Sequence, residues 1–243
     1  MINQFAERNN LRLFLDGFDA KLLGMALAKL KAKNDKLYTV DAYLEMEREA
    51  FARSEYIDGE IFAMAGESDA HGIISANLSG EFYQQLKAKD CQLRIKDAKI
   101  KSGGFAQTAG RSTKGMFSYP DLVVVCGEVK YHDKKKDIIL NPKVIIEVLS
   151  DSTGDFDRGE KFTRYRLFND TLTDYILVAQ DKPQIDHFIR QTDNSWNQVS
   201  YIGLDKICPI ESIECRLELK EVYDRIKFSK KALNFLKEIE NIK

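Results

Sequence analysis

An α/β fold built on a mixed β-sheet flanked by helices is what this 243-residue sequence predicts, and three observations predict it. Leu122-Val123-Val124-Val125 and Val144-Ile145-Ile146-Glu147-Val148-Leu149 have the length and β-branched content of buried strands. Ile74, Leu78, Phe82 and Leu86 recur every four positions and mark one apolar helix face. The order along the chain is helix, three strands, helix, strand, with further strands after it, which suits a mixed sheet.

Residues 1–37 read as an N-terminal extension in which Phe18, Leu22, Met25 and Leu30 fall near helical spacing. Thr39 then caps an amphipathic helix carrying Val40, Tyr43 and Leu44 that ends near Ala50. Asp58-Gly59 sits between two short apolar runs and marks a hairpin. The best helix of the chain follows over residues 70–87, then strands over 91–100, 121–126 and 144–149. The glycine-rich stretch 102–118 loops between the first two of these strands, and the charge run 130–136 reads as a solvated loop. A turn at 150–154 leads to Asp157-Arg158-Gly159-Glu160, which has the form of a capping box opening a helix through Phe168. Strands over 174–179, 184–190 and 197–202 complete the sheet, and residues 221–243 form a lysine-rich helical tail.

With 44% apolar and 31% charged residues the chain can bury one full core, so one principal domain is expected. A net charge of -1 excludes binding to nucleic acid through a whole-molecule positive field; any such affinity must come from local basic surface. Cys91, Cys126, Cys208 and Cys215 lack C-x-x-C spacing and His71, His132 and His187 are scattered, which argues against structural zinc and for reduced, mostly buried thiols. No apolar run reaches eighteen residues and no secretory core is present, so the expected location is cytoplasmic, without membrane association. Phosphate loops and G-x-S-x-G elbows are also missing, and Trp196, in a late hairpin, reads as packing.

The acids inside the two apolar runs carry the chemistry. Asp121 begins one strand and Glu147 lies near the end of the other, so antiparallel pairing would bring the carboxylates together. Facing carboxylates repel, and a divalent cation relieves that repulsion; oxygen donors suit magnesium or manganese better than zinc. Spacing alone supports equally a turn role for Asp121 and an ion pair for Glu147.

The segments Glu55-Tyr56-Ile57-Asp58-Gly59-Glu60-Ile61, Tyr119-Pro120-Asp121, Asn141-Pro142 onward to Glu147-Val148-Leu149-Ser150, Ser152-Thr153, Asp157-Arg158 with Lys161, and Asp174-Tyr175 resemble the Uma2 family of restriction-endonuclease-like proteins, within the PD-(D/E)XK nuclease superfamily. The resemblance runs over residues 38–226, between the N-terminal extension and a C-terminal helical tail at 227–243. It implies a restriction-endonuclease-like core and a magnesium-dependent phosphodiesterase with Asp121 and Glu147 as metal ligands. The superfamily pattern puts a lysine two residues after the acidic ligand, where this chain has Leu149. Lys161, a lysine in the family too, is the candidate replacement, with Lys99, on the strand expected beside that of Asp121, a weaker one. Glu55 is the candidate third carboxylate. Asp157 reads as a helix cap and His71 as a satisfied histidine at a helix end.

The expected function is endonucleolytic hydrolysis of phosphodiester bonds in DNA with Mg2+ or Mn2+, using Asp121, Glu147, Lys161 and Glu55. The rival reading, motivated by Leu149, is a catalytically inactive nuclease fold acting as a DNA-binding or interaction module. Cutting both strands of a duplex would suit a symmetric homodimer.

Overall fold

The computed structural model describes residues 37–64, 66–103, 114–150 and 153–242, so the helix expected around Phe18 to Leu30 lies outside the described residues. Helix α1 (Val40–Glu49) opens at Thr39, whose hydroxyl accepts the Ala42 amide at 3.2 Å, and buries Val40, Tyr43 and Leu44. Strands β1 (Ser54–Ile57) and β2 (Glu60–Ala63) form the expected hairpin. Both turn residues are left-handed, Asp58 at φ 48° and Gly59 at φ 101°, which matches the twist of the flanking strands. Helix α2 (Asp69–Leu86) is capped by Ser68 and buries Ile74, Leu78, Phe82 and Leu86.

The single strand expected over residues 91–100 is two strands, β3 (Cys91–Ile95) and β4 (Lys99–Ser102), in different sheets. Lys96 between them adopts φ 51°, and this left-handed step turns the chain out of the first sheet. The end of the expected loop is strand β5 (Met116–Ser118), followed by β6 (Leu122–Cys126), β7 (Ile138–Ile139) and β8 (Val144–Leu149). Helix α3 is made of Gly154–Phe156, a wide π turn over Asp157–Lys161, and Phe162–Phe168. Strands β9 (Asp174–Ala179), β10 (Gln184–Arg190) and β11 (Trp196–Ile202) follow as expected. The hairpin β12 (Ile207–Ile210) and β13 (Cys215–Glu218) was not anticipated. The expected continuous C-terminal helix is two helices, α4 (Leu219–Val222) and α5 (Lys230–Ile242), separated by a turn in which Arg225 adopts φ 67°.

Two mixed sheets therefore stand where one was expected. The larger runs β11-β10-β9-β8-β6-β3 with β8 and β9 parallel, and the smaller runs β2-β1-β5-β4-β7 with β4 and β7 parallel. The period-two alternation of β6 and β8 divides the core. Leu122, Val124, Ile146 and Val148 pack under α2, whereas Val123, Val125, Ile145 and Leu149 meet α3 and the smaller sheet. Cys91 and Cys126 lie directly opposite in the β3–β6 ladder and form a disulfide, correcting the expectation of four reduced thiols; Cys208 and Cys215 are free and buried.

Candidate active site

Strands β6 and β8 are antiparallel neighbours, and Asp121 and Glu147 stand one step beyond the Leu122–Ile146 register pair. The Asp121 amide points at Glu147 Oε2 at 3.4 Å, and Asp121 Oδ2 accepts the Val148 amide at 2.7 Å. Glu147 shares its side of β8 with Ile145 and Leu149, which aims its carboxylate toward α3, and it is 3% exposed.

Helix α3 brings Lys161 to that carboxylate. The ammonium lies 2.9 Å from Glu147 Oε1, 3.3 Å from Glu55 Oε1 and 3.4 Å from Asp157 Oδ1. Glu55 arrives on β1, where its Oε1 also accepts the Tyr119 amide at 3.0 Å. One turn along α3, the Tyr165 hydroxyl donates to Glu147 Oε1 at 3.4 Å and shares a 2.9 Å hydrogen bond with Ser118 Oγ. All four residues singled out in the sequence thus fall in one cluster.

Asp157 is a correction. The helix begins upstream at Gly154, so residue 157 lies past the first turn and turns its carboxylate inward to Lys161, while Glu160 pairs with Arg164 at 2.7 Å and completes no capping box. Lys99 is another. Its strand belongs to the smaller sheet, paired with β5 and β7, and its ammonium rests over the rings of Tyr43 and Tyr119 at 5.4 and 5.1 Å. Trp196 packs edge-on against Phe162 at 5.2 Å, as a packing residue would.

His71 is a satisfied histidine at a helix end, as expected, and its partner is the candidate ligand Asp121. It sits in the first turn of α2, and its Nε2 lies 2.8 Å from Asp121 Oδ1. The signal was present in the spacing, since residue 71 is in phase with Ile74, Leu78 and Phe82 on the buried face. Ligand atoms of Glu67, His71 and Asp121 lie within 4.8 Å of one another, but Glu67 is exposed and ion-paired with Lys96.

Burial favours loss of the Lys161 proton, yet Glu147, Glu55 and Asp157 outweigh it and hold its pKa well above the usual lysine value. Burial pushes Glu147 well above the usual carboxylate range; Lys161 opposes this, and the charges of Asp157 and Asp121 add to it. Asp157 is raised by burial as well, against the pull of Lys161. One ammonium therefore serves more buried negative charge than it can balance, and among the described residues Glu147 Oε2 receives the long contact from the Asp121 amide alone. Oxygen donors so placed fit a small hard dication.

The crystal structure titled as a "putative nuclease belonging to DUF820" from Anabaena variabilis superposes with a TM-score of 0.61 at 16% identity, covering 78% of this chain and 99% of that one, and shares its fold. The uncharacterized protein slr1290 of Synechocystis sp. strain PCC 6803 is 32% identical over 189 residues, 77% of this chain and 92% of its own length. A second protein of that organism, the uncharacterized sll1609, is 30% identical over 168 residues, 69% of this chain and 89% of its own. The family described as "Putative restriction endonuclease" matches residues 40–220, and the chain belongs to that family, Uma2.

Proposed function

We propose that this protein is a metal-dependent endonuclease that hydrolyses phosphodiester bonds in DNA. The family and the shared fold support a nuclease. The observation that carries the finer reading is the delivery of Lys161 by α3 to Glu147 and Glu55, at 2.9 and 3.3 Å, in a chain whose strand offers Leu149 where the superfamily has lysine.

Asp121 and Glu147 would hold magnesium or manganese between adjacent strands. The chemistry that such an ion supplies is neutralisation of charge on a phosphate oxygen and acidification of a water. Glu55 and Asp157 keep Lys161 protonated and aimed at the Glu147 carboxylate. That charge, held in a site with little water, favours the negative charge that grows on the phosphate in the transition state. Tyr165 fixes the orientation of Glu147.

A magnesium titration tests this. At a concentration a hundredfold above the dissociation constant, bound cation adds about 2.7 kcal/mol of stability, read as a rising melting temperature with cleavage of duplex DNA over the same range. The double change Asp121→Asn with Glu147→Gln is expected to abolish that response and to lower metal-free stability, because the buried Lys161 ammonium loses its nearest counter-charge, Glu147 at 2.9 Å. A parent whose melting temperature ignores magnesium and manganese would leave the second reading, a non-catalytic module in which Lys161 only neutralises buried acids; its 6% exposed side chain is what favours that reading.

Lys130, Lys134, Lys135 and Lys136 are exposed, whereas Arg158 pairs with Asp186 at 2.6 Å and Arg164 with Asp58 at 2.6 Å. DNA affinity is therefore expected to be weak and to fall steeply between low and moderate salt as counterions are released. Titrations of a labelled duplex at several ionic strengths measure the slope, and a flat line would defeat the idea. A symmetric dimer would present one site to each strand of the duplex. Among the described residues no helix is long and apolar enough to cross a membrane.

A further inference from the structure

Both oxygens of Asp121 are held by donors from different layers of the fold. Oδ2 accepts the amide of Val148, the residue after Glu147, and Oδ1 faces His71 Nε2 at 2.8 Å. An ionised carboxylate only accepts, so Nε2 carries the hydrogen of that bond. The helix end that presents His71 is itself anchored. Ser68 Oγ accepts the His71 amide at 3.1 Å and bonds Gln180 Oε1, just past β9, at 2.6 Å.

Two like charges on adjacent strands swing apart unless something holds them. The Val148 amide ties Asp121 to the Glu147 strand, and the His71 N–H sets the rotation of the carboxylate about that tie. We infer that His71 is a positioning residue of the cation site, locking Asp121 so that its remaining lone pairs and Glu147 Oε2 converge on one ion. It acts as a donor to a ligand and does not ligate. Nε2 is committed to Asp121, and on that side the third group within reach, Glu67, is already paired with the Lys96 ammonium, whose charge repels a second cation. Groups that orient a ligand in this way typically change metal affinity about ten- to hundredfold when removed.

This inference rests on the proposed cation site, and the experiment separates the two. Manganese binding to the full chain is followed by electron paramagnetic resonance for the parent and for His71→Phe, His71→Asn and His71→Gln. Phenylalanine keeps the ring volume without the donor, and asparagine has a donor too short to reach Oδ1; both are expected to weaken binding by about ten- to hundredfold. Glutamine, whose amide reaches the same oxygen, is expected to restore affinity to within a few-fold of the parent. A purely packing role predicts the reverse, with phenylalanine the best of the three. Parent-like affinity in His71→Phe or, should that variant not fold, in His71→Asn overturns the inference alone. Nitrogen hyperfine coupling to manganese in the parent also overturns it, by making His71 a ligand. A parent that takes up no manganese overturns the cation site and this inference together.

Discussion

Lys161→Met is expected to slow DNA cleavage by a factor on the order of 10² to 10³, the loss typical of removing one preorganised charge from a transition state. Methionine keeps the length of the side chain and removes only its ammonium, which lies 2.9 Å from Glu147 and 3.3 Å from Glu55. Cation affinity should hold or rise, because a positive neighbour opposes a bound dication and Glu147 Oε1 becomes available. Without metal the variant should be less stable by about 3–5 kcal/mol, since a carboxylate 3% exposed is left without its counter-charge. Added magnesium should return part of that stability. Leu149→Lys is a poor rescue: Leu149 is buried in the apolar cluster with Phe162 and Leu177, and a lysine there tends to lose its proton. Single-turnover cleavage at saturating magnesium, with calorimetry of cation binding, measures both halves. Parent-like cleavage by Lys161→Met alongside a dead Lys99→Met would transfer the role to Lys99, which lies over the rings of Tyr43 and Tyr119.

The elements legible in the sequence are those whose burial imposes a period. The four-residue spacing of Ile74, Leu78, Phe82 and Leu86 needs only a helix with one covered face, and the runs of β6 and β8 need only a sheet covered on both. Of the smaller sheet the β1–β2 hairpin was legible and the rest was not, because β4 and β5 are short and their outer neighbours, β7 and β1, come from distant parts of the chain. The break between β3 and β4 hangs on a left-handed lysine, a conformation that nothing in its chemistry announces. The disulfide needed the register of β3 against β6, and the hairpin β12–β13 was masked by Pro209 within a four-residue strand.

At the site, a single acid within each apolar run was enough to single out Asp121 and Glu147, because a buried carboxylate demands a partner. Lys161 and Glu55 came from the resemblance, since neither a lysine in a helix nor an acid in a hairpin carries a local signature. Asp157 was misread because Asp-x-x-Glu satisfies the capping pattern locally, while the true start of the helix is Gly154. His71 was read as satisfied at a helix end, and what the sequence did not give is its partner, Asp121, fifty residues away.

Asp174, noted in the sequence only as part of Asp174-Tyr175, is expected to be among the costliest polar positions for stability. It is 1% exposed at the start of β9, with Oδ1 against His187 Nε2 at 2.8 Å and Oδ2 accepting from Thr173 Oγ1 at 2.7 Å and from Ser212. One carboxylate thus ties β9 to β10 and to the turn before β13, and His187 in turn faces Cys208 Sγ at 3.7 Å. Asp174→Ala strands these buried donors and should lower unfolding free energy by about 3–5 kcal/mol. Burial alone would raise the Asp174 pKa, but His187, Ser212 and Thr173 outweigh it and hold the group below the usual carboxylate value. A depressed folded-state pKa adds stability that is present above the unfolded-state value of about 3.9 and is lost as pH falls through the folded-state value. The parent should therefore lose an increment on acidification below about pH 4 that Asp174→Asn, which cannot titrate, does not lose. Urea unfolding of parent, Asp174→Ala and Asp174→Asn across that range measures both effects, and a parent-to-Asn stability gap that stays constant with pH would refute the linkage.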